Sequence, residues 1–95
     1  MNFLQPKVLI IPMEILTPFS TEAKSLVKGS IYEHYKGNRY KILSVGRHSE
    51  TLEEYVIYQA LYGDYDIWVR PLSMFLERVM VNEVMQPRFN KIFHC

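Results

Sequence analysis

Disulfide chemistry is the first thing the sequence rules out. The 95 residues include a single cysteine, Cys95, so no internal disulfide can form and no cysteine-built metal knuckle is possible. Its one thiol matters only if it is exposed. Glycine is scarce and scattered, with four residues at positions 29, 37, 46 and 63. None of the Gly-rich spacings that cradle a phosphate is present. An excess of charge is missing as well. Eleven basic residues face ten acidic ones, a formal net charge of +1, which removes the general electrostatic case for nucleic acid or an anionic membrane surface. The longest aliphatic run, Val8 to Ile11, is closed by Pro12 and is far shorter than the roughly 20 apolar residues of a membrane span. Pro6, Pro12 and Pro18 interrupt the same region and no small-residue cleavage site follows. The expectation is a cytoplasmic protein without a signal peptide or a membrane contact.

Apolar and aromatic material is what the chain does have. Hydrophobic residues make up 48% and charged residues 22%, enough for one packed domain. The first 28 residues differ from the rest, because their three prolines forbid a continuous helix. Lys7–Ile11 suits a short strand and Met13–Leu16 an extended piece. Ser20 or Thr21 can cap a short helix running to Lys28, with Gly29 ending it.

From Ser30 onward the pattern is strands separated by turn chemistry. Ile31–Tyr35, the turn Lys36-Gly37-Asn38 and Arg39–Arg47 read as a hairpin. Local rules then conflict. Thr51 with Glu54 fits a capping box, but Tyr55-Val56-Ile57-Tyr58 has the aromatic and β-branched composition of a strand. A strand is preferred, ending at Gly63-Asp64. "RHSETLEE" then connects two strands, with one helical turn at most. Ile67–Arg70 is a further strand, Pro71 opens a 3₁₀ turn over Leu72–Leu76, and Val79–Val81 and Val84–Phe89 follow as short strands before the tail. The pattern describes a mainly β, half-open barrel of about five strands, with the 3₁₀ turn before the last one.

"YEHYKGNRYKIL", "GRHSETLEEYVIYQALYGD", "IWVRPLSMFLE" and "PRF" occur in order between about Leu26 and Phe89. Together they resemble a bacterial family of unknown function, numbered 1653. The resemblance implies an SH3-like barrel over residues 26–95 and leaves residues 1–25 as an N-terminal extension, which would cover a barrel edge or pair with a second copy. It implies no activity and no cofactor.

Candidate sites must therefore come from the residues. His34, His48 and His94 show no metal-binding spacing, so no metal is expected. His48 beside Ser49, with Glu50, Glu53 or Glu54 to orient the ring, is the content of an acid–base site for a nucleotide or other small ligand. Neighbours in an extended chain point to opposite faces, however, and the plainer reading is a loop whose polar groups bond to each other and to Arg47.

Aromatic recognition is the alternative. Tyr58, Tyr62, Tyr65 and Trp68 cluster around the Gly63-Asp64 turn, followed by Arg70. Such a groove binds extended peptides, or stacks single-stranded bases with help from Arg39, Arg47 and Arg70. Trp68 is equally suited to anchor the core, and Arg70 to fork onto a carboxylate of "SETLEE". The preferred expectation is a non-catalytic module, monomeric or weakly dimeric, that recognises a peptide or protein partner. Its expected site comprises Arg47, His48, Glu50, Glu54, Tyr58, Tyr62, Trp68 and Arg70.

Overall fold

The computed structural model describes residues 17–93. The expected strand at Lys7–Ile11, the extended piece at Met13–Leu16, His94 and Cys95 lie outside the described residues.

Seven strands and two single helical turns follow one another in the order α1 (Thr21–Lys24), β1 (Ile31–His34), β2 (Arg39–Arg47), β3 (Glu54–Ala60), β4 (Ile67–Pro71), α2 (Leu72–Phe75), β5 (Arg78–Val81), β6 (Val84–Pro87) and β7 (Phe89–Phe93). Five strands form an open antiparallel sheet in the order β4-β3-β2-β1-β7, and β5 with β6 forms a separate hairpin.

The strand reading of Tyr55–Tyr58 holds, and the burial pattern explains why. Along β3, Val56, Tyr58 and Ala60 are buried while Tyr55, Ile57 and Gln59 are less so, the period of two that a half-covered strand requires. The segment is paired on both sides, with β2 and with β4, so its helix-compatible features never compete. In β2 the core residues Ile42 and Val45 are three apart, which would put them on opposite faces of a regular strand. A register shift between Ile42 and Ser44 inserts one extra residue and returns both to the same side.

The core is largely aromatic. Phe75, 1% exposed, stacks on Phe89 at 4.2 Å between ring centroids and meets Tyr32 and Tyr58 edge-on at 5.5 and 5.3 Å. Burying a side chain of this size stabilises the fold by about 2–3 kcal/mol, and edge-on pairs add roughly 0.5–1.5 kcal/mol each. The expected anchor was Trp68, but it lies 50% exposed on the edge strand β4. Phe75 takes that place because α2 folds back over the sheet.

Four further details differ from the sequence expectation. The turn after Pro71 is α-helical rather than 3₁₀, since the Leu76 N–H donates to the carbonyl of Leu72, four residues back. Three strands follow that turn, where Val79–Val81 and Val84–Phe89 were the expected ones. The C-terminal tail is also not loose: Phe89–Phe93 returns to pair with β1. At the other end, α1 stops at Lys24 rather than Lys28. Gly29, at φ 86°, instead turns the chain into β1 and donates its N–H to Ile42 at 2.8 Å. Ala23 and Leu26 belong to the core, with Phe19 packed against it. Part of the segment before the family-like region is therefore built into the domain's interior.

Candidate functional site

Alternation gives the sheet two faces, and chemistry-bearing side chains divide between them. On the core face of β3, Tyr58 lies opposite Trp68 of β4, and Val56 lies opposite Arg70. Tyr32 of β1 pairs with Tyr40 of β2, and His34 pairs with Phe89 of β7. A cleft of about 240 Å³ runs over this face, lined by Trp68, Arg70, Tyr58, Tyr40, His34 and Phe89, with Lys36 and Asn38 from the β1–β2 turn closing one end. Every strand of the sheet contributes at least one wall residue.

Arg70 is the best-held cation in the cleft. Its Nε–H donates to the Tyr58 hydroxyl at 3.0 Å, and its guanidinium lies 5.7 Å from the Phe89 ring centroid. A planar fork fixed at Nε and backed by a ring face is pre-organised for a planar partner. The expected fork from Arg70 to a carboxylate of "SETLEE" does not form, because the buried Tyr58 takes its place.

His34 bonds to its own turn, its Nδ1 accepting the Lys36 N–H at 3.1 Å. The neutral ring therefore carries its proton on Nε2. Burial, then the positive charges of Arg88, Lys36 and Arg70, hold His34 below its ordinary pKa. Tyr40 forms the opposite wall, meeting Tyr58 and Phe89 edge-on at 5.3 and 5.6 Å. Its hydroxyl shares a 2.7 Å hydrogen bond with that of Tyr62. Burial, followed by that hydrogen bond, raises the Tyr40 hydroxyl far above its ordinary pKa. Tyr62 thus supports the wall from outside the cleft.

The loop residues occupy other places. A depression of about 250 Å³ is lined by Arg47, His48, Tyr55, Ile57 and Val69; Tyr55 and Ile57 alternate with Val56 and Tyr58, so it lies on the opposite face. The loop closes on itself. The His48 N–H donates to the Glu53 carbonyl at 2.7 Å and the Leu52 N–H to the His48 carbonyl at 2.8 Å. His48 Nδ1 accepts the N–H groups of Glu50 and Thr51 at 3.1 and 3.2 Å. Ser49 donates to Glu50 at 3.4 Å rather than to His48. Thr51 Oγ1 accepts the Glu53 N–H at 3.2 Å, so no capping box with Glu54 forms.

Glu54 reaches the other way. Its Oε2 accepts the Ser20 N–H at 2.7 Å and its Oε1 the Ser20 hydroxyl at 2.6 Å, while the Ser20 Oγ accepts from the Ala23 N–H. These bonds hold the Glu54 carboxyl below its ordinary pKa. Arg47 donates to the Thr17 carbonyl and stacks 4.0 Å from the Phe19 ring centroid. Arg47 and Glu54 together stitch the segment around α1 to the sheet. Sequence reasoning missed this stitch, although the Ser20 cap had flagged a helix start that needs a partner.

A further depression, about 380 Å³, lies beside that stitch and is lined by Glu22, Glu53, Glu54, Leu72 and Leu76 among others. His48 and Glu53 line separate depressions, and the Ser49 hydroxyl bonds to Glu50 rather than to His48. The arginines expected to follow a nucleic-acid strand are equally dispersed. Arg70 is in the cleft and Arg47 in the stitch, and Arg39 pairs with Glu33 at 3.4 Å. Among the described residues no group of three or more His, Cys, Asp and Glu could hold a metal, and no helix is long and apolar enough to cross a membrane.

Of the expected binding residues, the cleft brings together Tyr58, Trp68 and Arg70, with Tyr62 behind the wall. Arg47, His48, Glu50 and Glu54 stay outside it. His34, Lys36 and Tyr40 were not among the expected binding residues. The alternation of Tyr32 with His34, and the pairing of Tyr40 across the turn, were signals that could have found them.

No curated protein matches the chain. A solved structure of a DUF1653 protein from Bordetella bronchiseptica is 33% identical and superposes with a TM-score of 0.67, over 77% of this chain and 95% of that one. The family described as "Protein of unknown function (DUF1653)" matches residues 30–91, the span that holds all seven strands except the last residues of β7. The chain belongs to that family.

Proposed function

We propose that this protein is a small binding module, of SH3-like architecture, that recognises a peptide segment of a protein partner through the cleft on the core face of its sheet. The observation that carries the reading is Trp68. A tryptophan left 50% exposed beside a guanidinium anchored by Tyr58 and Phe89 forms the amphipathic, rigid contact surface that peptide and protein recognition favours. The trough is shallow and crosses five strands, which suits an extended segment. The loop at 47–54 serves as a clasp that fixes the β2–β3 hairpin and the α1 segment rather than as a contact surface.

Titrating labelled protein with a pool of short extended peptides tests the reading. Binding should shift the Trp68 indole, Tyr40 and Asn38 resonances, leave residues 48–53 unmoved, and be abolished by Trp68→Ala. Shifts centred on residues 48–53, with the cleft silent, would overturn it.

A further inference from the structure

The lining of the cleft is chemically one-sided. Lys36 and Arg70 bring two cations, Asn38 brings amide donors, and neutral His34 brings the Nε2–H that its bonded Nδ1 leaves over. No Asp or Glu lines the cleft. Two acids of the neighbouring segments are committed elsewhere. Glu33 alternates with His34, so it faces away from the cleft, and it pairs with Arg39. Glu77 accepts from Arg88 at 2.9 Å. Among the described residues, only the Nε of Arg70 has a protein acceptor, so both its Nη groups are left to bond outward.

Cations gathered in a trough without a counter-charge repel one another. Beside the trough, burial and then the same charges of Arg88, Lys36 and Arg70 lower the pKa of His34, so its ring adds a donor and no further charge. A protein whose net charge is only +1 has concentrated positive charge over one trough.

From this arrangement we infer that the group the cleft grips is an oxyanion, a carboxylate or phosphate borne on the ligand next to an apolar portion that lies against Trp68. This deepens the peptide reading above and rests on it. The Arg70 fork takes two oxygens of the oxyanion in its plane, and Lys36 supplies a second charge from the turn. The half-exposed Trp68 ring covers the adjoining apolar part. Screening by salt should weaken the contact, because Lys36 is exposed.

The test compares matched ligands by NMR on the full chain. The probes are one peptide sequence with a free C-terminal carboxylate, the same sequence amidated, and the same amidated sequence carrying one phosphoserine. Inorganic phosphate and acetate are titrated alone. The His34 imidazole titration is followed throughout.

The expected result is at least tenfold tighter binding of a charged peptide than of its neutral amide. His34 should titrate nearer its ordinary value in the complex, because the bound anion opposes the field of Arg88, Lys36 and Arg70. Arg70→Lys, which keeps the charge and loses the fork, and Lys36→Gln at an exposed turn position should each weaken binding several-fold. Whether the carboxylate or the phosphoserine form binds tighter identifies the source of the oxyanion. Amidated peptide binding as tightly as the charged forms, with His34 unmoved, would overturn the oxyanion inference and leave the peptide reading standing. Phosphate or acetate binding at the cleft with every peptide inert would support the oxyanion and overturn the peptide reading. Silence from all five probes would overturn both.

Discussion

Two polar clusters of the molecule carry similar residues with opposite outcomes. At the β2–β3 connection, Arg47, His48, Glu53 and Glu54 find their partners within the protein, in loop N–H groups, the Thr17 carbonyl, Tyr55 and Ser20. In the cleft, Arg70 and Lys36 are positioned by the protein but not neutralised by it. A dense cluster of charged and polar residues in a sequence is therefore a poor guide to a site. A cluster whose hydrogen bonds are already made is a structural device, and what points to a ligand is donor capacity held rigid and left over.

The contrast can be broken most severely from beneath the cleft. Phe75→Ala should destabilise the protein by about 3–5 kcal/mol in chemical denaturation, because Phe75 is the floor on which Tyr58 and Phe89 rest. A loss below about 1 kcal/mol would mean that α2 is not part of the cooperative core. Tyr58→Phe is milder and sharper. It removes the acceptor for Arg70 Nε at a cost of about 1–2 kcal/mol, and peptide affinity should fall because the fork is no longer held. Unchanged affinity would show that Arg70 needs no anchor.

His48→Ala probes the β2–β3 connection. Two backbone N–H groups lose their acceptor, but the loop is exposed and water replaces the ring. The expected cost is about 0.5–1 kcal/mol, with peptide binding intact. Any loss of binding would erase the distinction between the connection and the cleft.

The smallest expected effect is a pH dependence. The pKa of His34 is lower in the folded protein than in the unfolded chain, so the unfolded chain binds the extra proton first. His34's contribution then favours folding above the ordinary histidine range and is lost as pH falls through that range toward the folded pKa. Denaturation midpoints measured on both sides of that window should show the slope in the wild type and a flatter profile in His34→Gln.

Much of the architecture was legible in the sequence. β1, β2 and β4 stood close to the expected bounds because alternation and the Lys36-Gly37-Asn38 turn agree at every level. β7 was not legible: "FNKIF" has too little pattern by itself, and its strand character comes from pairing with β1. Trp68 was misplaced for a related reason. Composition says that a large aromatic can fill a core, but whether its strand is central or at an edge depends on the sheet order β4-β3-β2-β1-β7, which no local pattern encodes. The cleft was half legible. Tyr58, Trp68 and Arg70 stand close together in the chain, whereas His34 and Phe89 reach it only through long-range pairing.

A trough with walls drawn from all five strands of the sheet also has a timetable. During synthesis its earliest wall residue, His34, leaves the ribosome 55 residues ahead of its last, Phe89. Phe89 must then return to β1 before the trough exists at all. Such long-range closure is slow relative to hairpin formation, so a nascent chain displays Trp68 and the β2–β3 hairpin well before the trough is complete. The trough is consequently a mark of the chain's own completion: it exists only once β7 has paired with β1.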